Sequence, residues 1–347
     1  MRISLFSLRA ASLSATLLLF TLASTTTTAN TVFTSSTGSS RTITRSILSA
    51  QQPEGRGALV RRSIGRPELR SHDPFLMLDE FLVDKNGGFP DHPHRGFETV
   101  TYMLEGRFQH EDFAGHSGVI GPGDVQWMTA GRGIVHSEMP VFPAGEEEDK
   151  GGEKALTKAH GLQLWINLPK EHKMCDPQYQ ELLDGEIPRA TPQEGVVIKV
   201  IAGESHGVKS EVYTRTPTMF LDISMEPNKV VEQHLPFEFT GFIYMLSGKT
   251  YLGDSTDTNT QFIGEAHHTL TFSDSNGVQD HLRVETKDEP ARFVLIAGQP
   301  LNEPIVQHGP FVMNTHEEIY ETFFDFRNAV NGFERANQWR STAGNNN

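Results

Sequence analysis

Cysteine is almost missing from this chain. Cys175 is the only one in 347 residues, which excludes an intrachain disulfide and any cysteine-rich zinc module. No Asn-x-Ser/Thr glycosylation acceptor occurs, and together the two absences favour a reducing compartment. Basic residues are also in deficit: 30 Lys and Arg face 44 Asp and Glu, for a formal net charge of −14. A surface that acidic repels phosphate backbones and argues against direct, non-specific binding of DNA or RNA. The one apolar run near the start, Ala10 to Leu22, is too short for a membrane span.

What is present has the balance of a globular chain, with 37% hydrophobic and 21% charged residues. Residues 1–47 read as a separate leader or disordered extension. The first acidic residue is Glu54, and the segment before it carries Arg2, Arg9, Arg41 and Arg45 among many Ser and Thr. That composition suits a transit peptide, whereas a basic start before an apolar run suits a secretory signal. Beyond it, short runs rich in Val, Ile, Phe and Tyr alternate with Gly, Pro, Asp and Asn: 97–104, 125–128, 162–167, 196–201, 219–224, 239–246, 269–272 and 293–297. Evenly spaced strands with glycine turns predict an all-β sandwich or barrel. Helical signals come late. Thr315 with Glu318 forms a capping box, Ile319, Phe323, Phe326 and Val330 follow at helical spacing, and Asn331-Gly332 is a stop. The mixed-charge, glycine-bearing stretch Ala144 to Lys158 reads as a surface loop.

One phrase occurs twice. Tyr102-Met-Leu-Glu-Gly106 returns as Tyr244-Met-Leu-Ser-Gly248, 142 residues later, and each copy is preceded by Gly-Phe. Two copies of one β unit are implied, with the front copy over 48–180 and the back copy over 181–347. Carrying the offset of 142 backwards sets His234 against His92, Pro236 against His94 and Thr240 against Glu98. By that count the back copy has lost a chelating pair, and it reads as a metal-free domain.

The chemistry lies in the front copy. His92 and His94, then His136 and Glu138, are two pairs of residues two apart. On an extended strand such residues share a face, so each pair offers a metal two ligands. Three imidazoles and a carboxylate suit iron, manganese, nickel or zinc, and on an octahedral ion they leave two positions open. Pro93, between the first two histidines, has no backbone donor and marks an edge or a bend.

Several long motifs carry a family likeness: Asp91-His-Pro-His-Arg-Gly-Phe-Glu-Thr99, Gly123-Asp-Val-Gln-Trp-Met-Thr-Ala-Gly-Arg-Gly133, His136-Ser-Glu138, Gly161-Leu-Gln-Leu-Trp165, Val212-Tyr-Thr-Arg-Thr-Pro217 and Gln307-His-Gly-Pro-Phe-Val-Met-Asn314. In this order, from about Ser46 to Trp339, the chain resembles the pirin family. The resemblance implies two tandem cupin (jelly-roll) β-barrels with a C-terminal helix, and one Fe(II) per chain held by His92, His94, His136 and Glu138. Gln126 stands where other cupins place their last histidine, and the His136 and Glu138 pair replaces it. Glu98 is a carboxylate of the same motif. It is expected beside the site, orienting an imidazole or taking a proton from substrate, with a solvated strand carboxylate as the plainer alternative.

For function, the resemblance implies quercetin 2,3-dioxygenase-type activity, with a flavonol and dioxygen as substrates. A second class is a redox-sensing transcriptional coregulator or signalling adaptor, whose partner is a transcription factor or a G-protein subunit. A third is a metal-stabilised bicupin without turnover. The family likeness places the chain in nucleus and cytoplasm, while the leader offers an organellar or secretory alternative.

Overall fold

The computed structural model describes residues 38–343 except 55–56, 143–157, 255–260, 274 and 276. Most of the leader and of the loop starting at Ala144 lies outside the described residues. All eight expected strand runs are strands, seven of them within a residue or two at each end, while the run expected at 162–167 begins four residues earlier, at Lys158. They build two β-barrels. In the first, a seven-stranded sheet runs in the order Gln178–Leu182, Val125–Thr129, Phe97–Glu105, Lys158–Asn167, Phe75–Asp84, Ala58–Ile64, Gln51–Pro53. A four-stranded sheet closes it, in the order Phe89–His94, Ile134–Pro140, Phe108–Asp112, Ser117–Ile120. The second barrel repeats the plan. Its seven-stranded sheet centres on Thr218–Met225, Ala291–Gly298 and Thr240–Ser247.

The repeat offset of 142 holds across the face that joins the barrels. Leu78, Glu80, Val100 and Tyr102 have counterparts in Phe220, Asp222, Phe242 and Tyr244, and the apolar members of both sets share one buried cluster. The pairing register agrees: Leu162 lies between Glu80 and Tyr102, as Val294 lies between Asp222 and Tyr244. Each tyrosine then reaches across. Tyr102 donates to Asp222 Oδ2 at 2.5 Å, and Tyr244 donates to Glu80 Oε2 at 2.6 Å. A buried carboxylate without a partner is costly, and each barrel supplies the hydroxyl that the other needs.

The chain ends do not respect the sequence boundaries. Ile43–Leu48, all but its last residue expected in the leader, pairs with His268–Phe272 at the edge of the second barrel. Arg41 has no exposed surface, and its guanidinium donates to the carbonyls of Pro236, Phe237, Phe239, Ser273 and Gln279. It is an anchor rather than a leader cation. At the other end, residues assigned to the back domain pack on the front one. The helix His316–Asn328 begins at the expected capping box, with Glu318 N–H donating to Thr315 Oγ1. Ile319, Phe323 and Phe326 pack against Met128, Ile134 and Phe311. Asn331-Gly332 is not the stop, because Ala329 already takes the left-handed conformation, with φ 53°, and its N–H closes on Asp325 and Phe326. Val330 therefore falls off the helix and is exposed. Among the described residues no helix is long and apolar enough to cross a membrane.

Candidate metal centre

Three histidines converge inside the first barrel. Ile134–Pro140 pairs with Phe89–His94 so that His136 lies opposite His92 and Ile134 opposite His94. Cross-strand partners share a face, and the next-but-one residue His94 joins them. Ring centroids are 4.4 Å apart for His92 and His136, 4.7 Å for His92 and His94, and 5.0 Å for His94 and His136. One ligand atom from each ring lies within 4.8 Å of the others. Among the described residues they form the one such group of three.

The geometry fits a metal ion. His92 Nδ1 is 2.8 Å from the Pro90 carbonyl, which leaves Nε2 to face His136 Nε2 at 2.9 Å. Two nitrogens bound at about 2.1 Å and a right angle to each other would stand ~3 Å apart. Burial lowers the basicity of all three rings, most strongly for His94 and His136; the His92 imidazole lowers it further in both, and His94 does so in His136. Neutral imidazole is the form that binds a metal.

Glu138 is near but outside the group of three. Its carboxylate accepts from Thr101 Oγ1 at 2.7 Å and from Gln163 Nε2 at 3.0 Å. Burial raises its affinity for a proton, and these two hydrogen bonds act against the rise. It lines the same cavity as His92 and His94. Thr101 and Gln163 were not singled out from sequence, although Gln163 stands in a quoted motif, one alternation from Trp165.

Glu98 is not brought to the histidines. Its oxygens accept from Trp127 Nε1 at 3.0 Å and Thr129 Oγ1 at 2.7 Å. The reason is strand alternation: Glu98 shares a face with Val100 and Tyr102, which point at the second barrel, while Thr101 on the opposite face reaches Glu138. A role for Glu98 in orienting an imidazole or taking a substrate proton is corrected accordingly. Gln126 is buried opposite Thr101, and its Nε2 has no hydrogen-bond partner among the described residues.

The second barrel differs at the corresponding place. The connection between the two strands has two residues in the first barrel, 95–96, and five in the second, 235–239, so the offset of 142 does not carry across it. Val231 and Leu235 point inward, with Gln233 buried between them. His234 faces outward opposite His281, and Leu282 and Val284 fill the interior. Apolar side chains thus occupy the space that imidazoles occupy in the first barrel.

A cavity of about 450 Å³ leads to the cluster. Phe89 and Trp165 line it beside the histidines, and Arg62, Arg70 and Asp79 stand in its wall. Arg62 is committed to Asp79 through two bonds of 3.0 and 2.8 Å. Gln307 and Pro310, from the C-terminal segment, complete the wall.

Comparison with known proteins fits this geometry. A family model described as Pirin matches residues 57–166, and one described as Pirin C-terminal cupin domain matches residues 220–332. The chain belongs to the pirin family. It is 55% identical to Pirin of Homo sapiens over 310 residues, covering 89% of this chain and 100% of that one. It is 53% identical to a pirin-like protein of Solanum lycopersicum over 302 residues, covering 87% and 96%. Among solved structures, a quercetin 2,3-dioxygenase from Acinetobacter baumannii superposes with a TM-score of 0.70 at 31% identity, covering 84% of this chain and 98% of that one. The tandem cupin fold of this pirin-family chain is therefore shown by both sequence and structure, and its three-histidine cluster supports a bound metal ion.

Proposed function

We propose that this chain is an Fe(II)-dependent oxygenase of the quercetin 2,3-dioxygenase type, which cleaves flavonols with dioxygen, and that His92, His94, His136 and Glu138 hold one iron. The observation that carries the reading is that the histidine cluster opens into a cavity of about 450 Å³ with aromatic walls, within the size range of small-molecule sites. The similarity to a structure named as a quercetin 2,3-dioxygenase supports it. A divalent ion with open coordination positions supplies the Lewis acidity and electron exchange that dioxygen chemistry needs.

The protein's part follows from its own residues. Phe89 and Trp165 offer ring surfaces to a flat substrate and exclude water from it. Burial keeps the three imidazoles neutral and ready as ligands. Thr101 and Gln163 hold the two oxygens of Glu138 in a fixed direction. Arg62 engages the other two cavity carboxylates, Asp79 and Glu54. The proton leaving a flavonol hydroxyl then goes to Glu138, the cavity carboxylate that no guanidinium holds.

The test is dioxygen uptake and carbon monoxide release with quercetin, for the iron-loaded chain beside an active control enzyme. Uptake matching quercetin consumption, abolished in His94→Ala, is expected. No uptake by the loaded chain beside a working control contradicts the reading.

A further inference from the structure

The C-terminal segment does more than cover the first barrel: it grips the strand that carries two of the histidines. Arg95 follows His94 directly. Its N–H donates to the Pro310 carbonyl at 3.3 Å, and its carbonyl accepts from Val312 N–H at 3.0 Å. The next residue, Gly96, has φ +88°, and a methyl group there would collide with the Val312 carbonyl. Only glycine permits this approach. From the other side Lys173 Nζ donates to the carbonyls of Gly96, at 2.9 Å, and Val312, at 3.2 Å.

The Arg95 side chain is 2% exposed. Nε donates to the Arg132 carbonyl at 2.6 Å, and Nη2 to the Asn331 carbonyl at 2.6 Å. Nη1 donates to Asp325 Oδ2 at 2.8 Å and to Thr322 Oγ1 at 3.2 Å. The guanidinium lies over the Phe333 ring, 4.7 Å from its centre. Asp325 and Thr322 belong to the helix, and Asn331 and Phe333 follow it. A buried charge satisfied on so many sides is costly to displace. Docking the helix alone needs an arginine anywhere on the barrel wall; here it sits one residue from His94, where a small shift moves an imidazole. Metal coordination tolerates displacements of only ~0.2 Å.

We propose that Arg95 is a positioning residue for the metal centre: latched to Asp325 and Asn331, it fixes His94, so that metal binding and seating of residues 306–333 stabilise each other. The coupling rests on the three histidines being a metal site, and it is reciprocal by thermodynamic necessity.

The test uses the full chain and Ni(II) as probe, with affinity read by competition against a chelator and ligand geometry by the visible spectrum of the Co(II) form. Arg95→Lys keeps the charge and loses the planar fork; Asp325→Asn keeps the shape and loses the charge. Both are expected to weaken Ni(II) binding about tenfold, the scale seen when groups that orient metal ligands are removed, and to shift the Co(II) bands. Ile319→Ala trims packing under the helix but leaves the segment seated and the Arg95 bonds to Asp325 and Asn331 closed, so it lowers the unfolding temperature while leaving affinity within twofold. Hydrogen exchange on the unmodified chain gives a second readout. Ni(II) slows amides of His316–Asn328 and leaves those of Ala291–Gly298 unchanged.

Equal affinity in Arg95→Lys, Asp325→Asn and the unmodified chain overturns the coupling, as does an equal loss in Ile319→Ala or helix exchange indifferent to Ni(II). Failure of the unmodified chain to bind Ni(II) overturns the metal assignment together with it.

Discussion

The two barrels share a plan and differ inside. Across the face where they meet, the match is residue for residue: Glu80 and Tyr102 in one, Asp222 and Tyr244 in the other, with reciprocal hydrogen bonds. Inside, the first barrel gathers His92, His94 and His136, with Glu138 lining the same cavity, whereas the second is filled by Val231, Leu235, Leu282 and Val284. The shared face holds the pair together, and that leaves each interior free to specialise. One interior keeps polar groups whose burial makes sense if a metal takes them up. The other is a mainly apolar core in which the buried Gln233 has its own hydrogen-bond partner in Ser205.

Breaking this contrast should have its largest effect on metal content. His136→Ala is expected to lose the ion entirely, while Gln233→Ala, at the inward position of the second barrel, keeps one ion per chain by elemental analysis. Next comes the apolar interior. Leu282→Ala should cost about 3 kcal/mol in urea unfolding, the range for deleting a buried leucine side chain, with metal content unchanged.

A pH dependence sharpens the comparison from the first barrel. Burial brings the Lys173 ammonium down from 10.5 to about 8, so between those values the unfolded chain holds a proton that the folded chain has released. Stability contributed by this group therefore rises with pH over that window and is flat below about 8, by a total on the order of 3 kcal/mol. Denaturant midpoints of Lys173→Met, compared with the unmodified chain at pH 7.5 and 10.5, should lack that rise.

At the shared face, Tyr102→Phe and Tyr244→Phe should each cost about 2 kcal/mol, the worth of a hydrogen bond to a charged group. Asp222 still keeps two bonds to Arg292, and Glu80 keeps His160 and His267, so neither loss unfolds the chain. The smallest effect belongs to Glu98→Gln. Because Glu98 points away from the histidines, metal content and dioxygen uptake should stay within twofold; a large loss of either would mean that its face of the strand matters to the site.

Much of this was legible in the sequence. Residues two apart on a strand share a face in any fold, so the His92–His94 and His136–Glu138 pairs could be read from spacing, and Thr315 with Glu318 marked the helix start. What escaped were non-local facts. Phe97 to Met103 is buried on both faces, since one looks into the barrel and the other at its neighbour. Hydrophobic alternation therefore could not say on which side Glu98 falls. The exchange of chain ends was equally hidden. Nothing local in Ile43–Leu48 shows that its partner is His268–Phe272, and Arg41 resembled a leader cation until its carbonyl partners were in place. The count back from Tyr244 failed because it crosses a connection whose length differs between the copies.

The most direct measurement is elemental analysis of the purified chain combined with X-ray absorption at the edge of the metal found. The account predicts one transition-metal ion per chain, with nitrogen and oxygen neighbours and the multiple-scattering pattern of three imidazoles. A metal-free chain, a second ion, or a spectrum without imidazole scattering would contradict it.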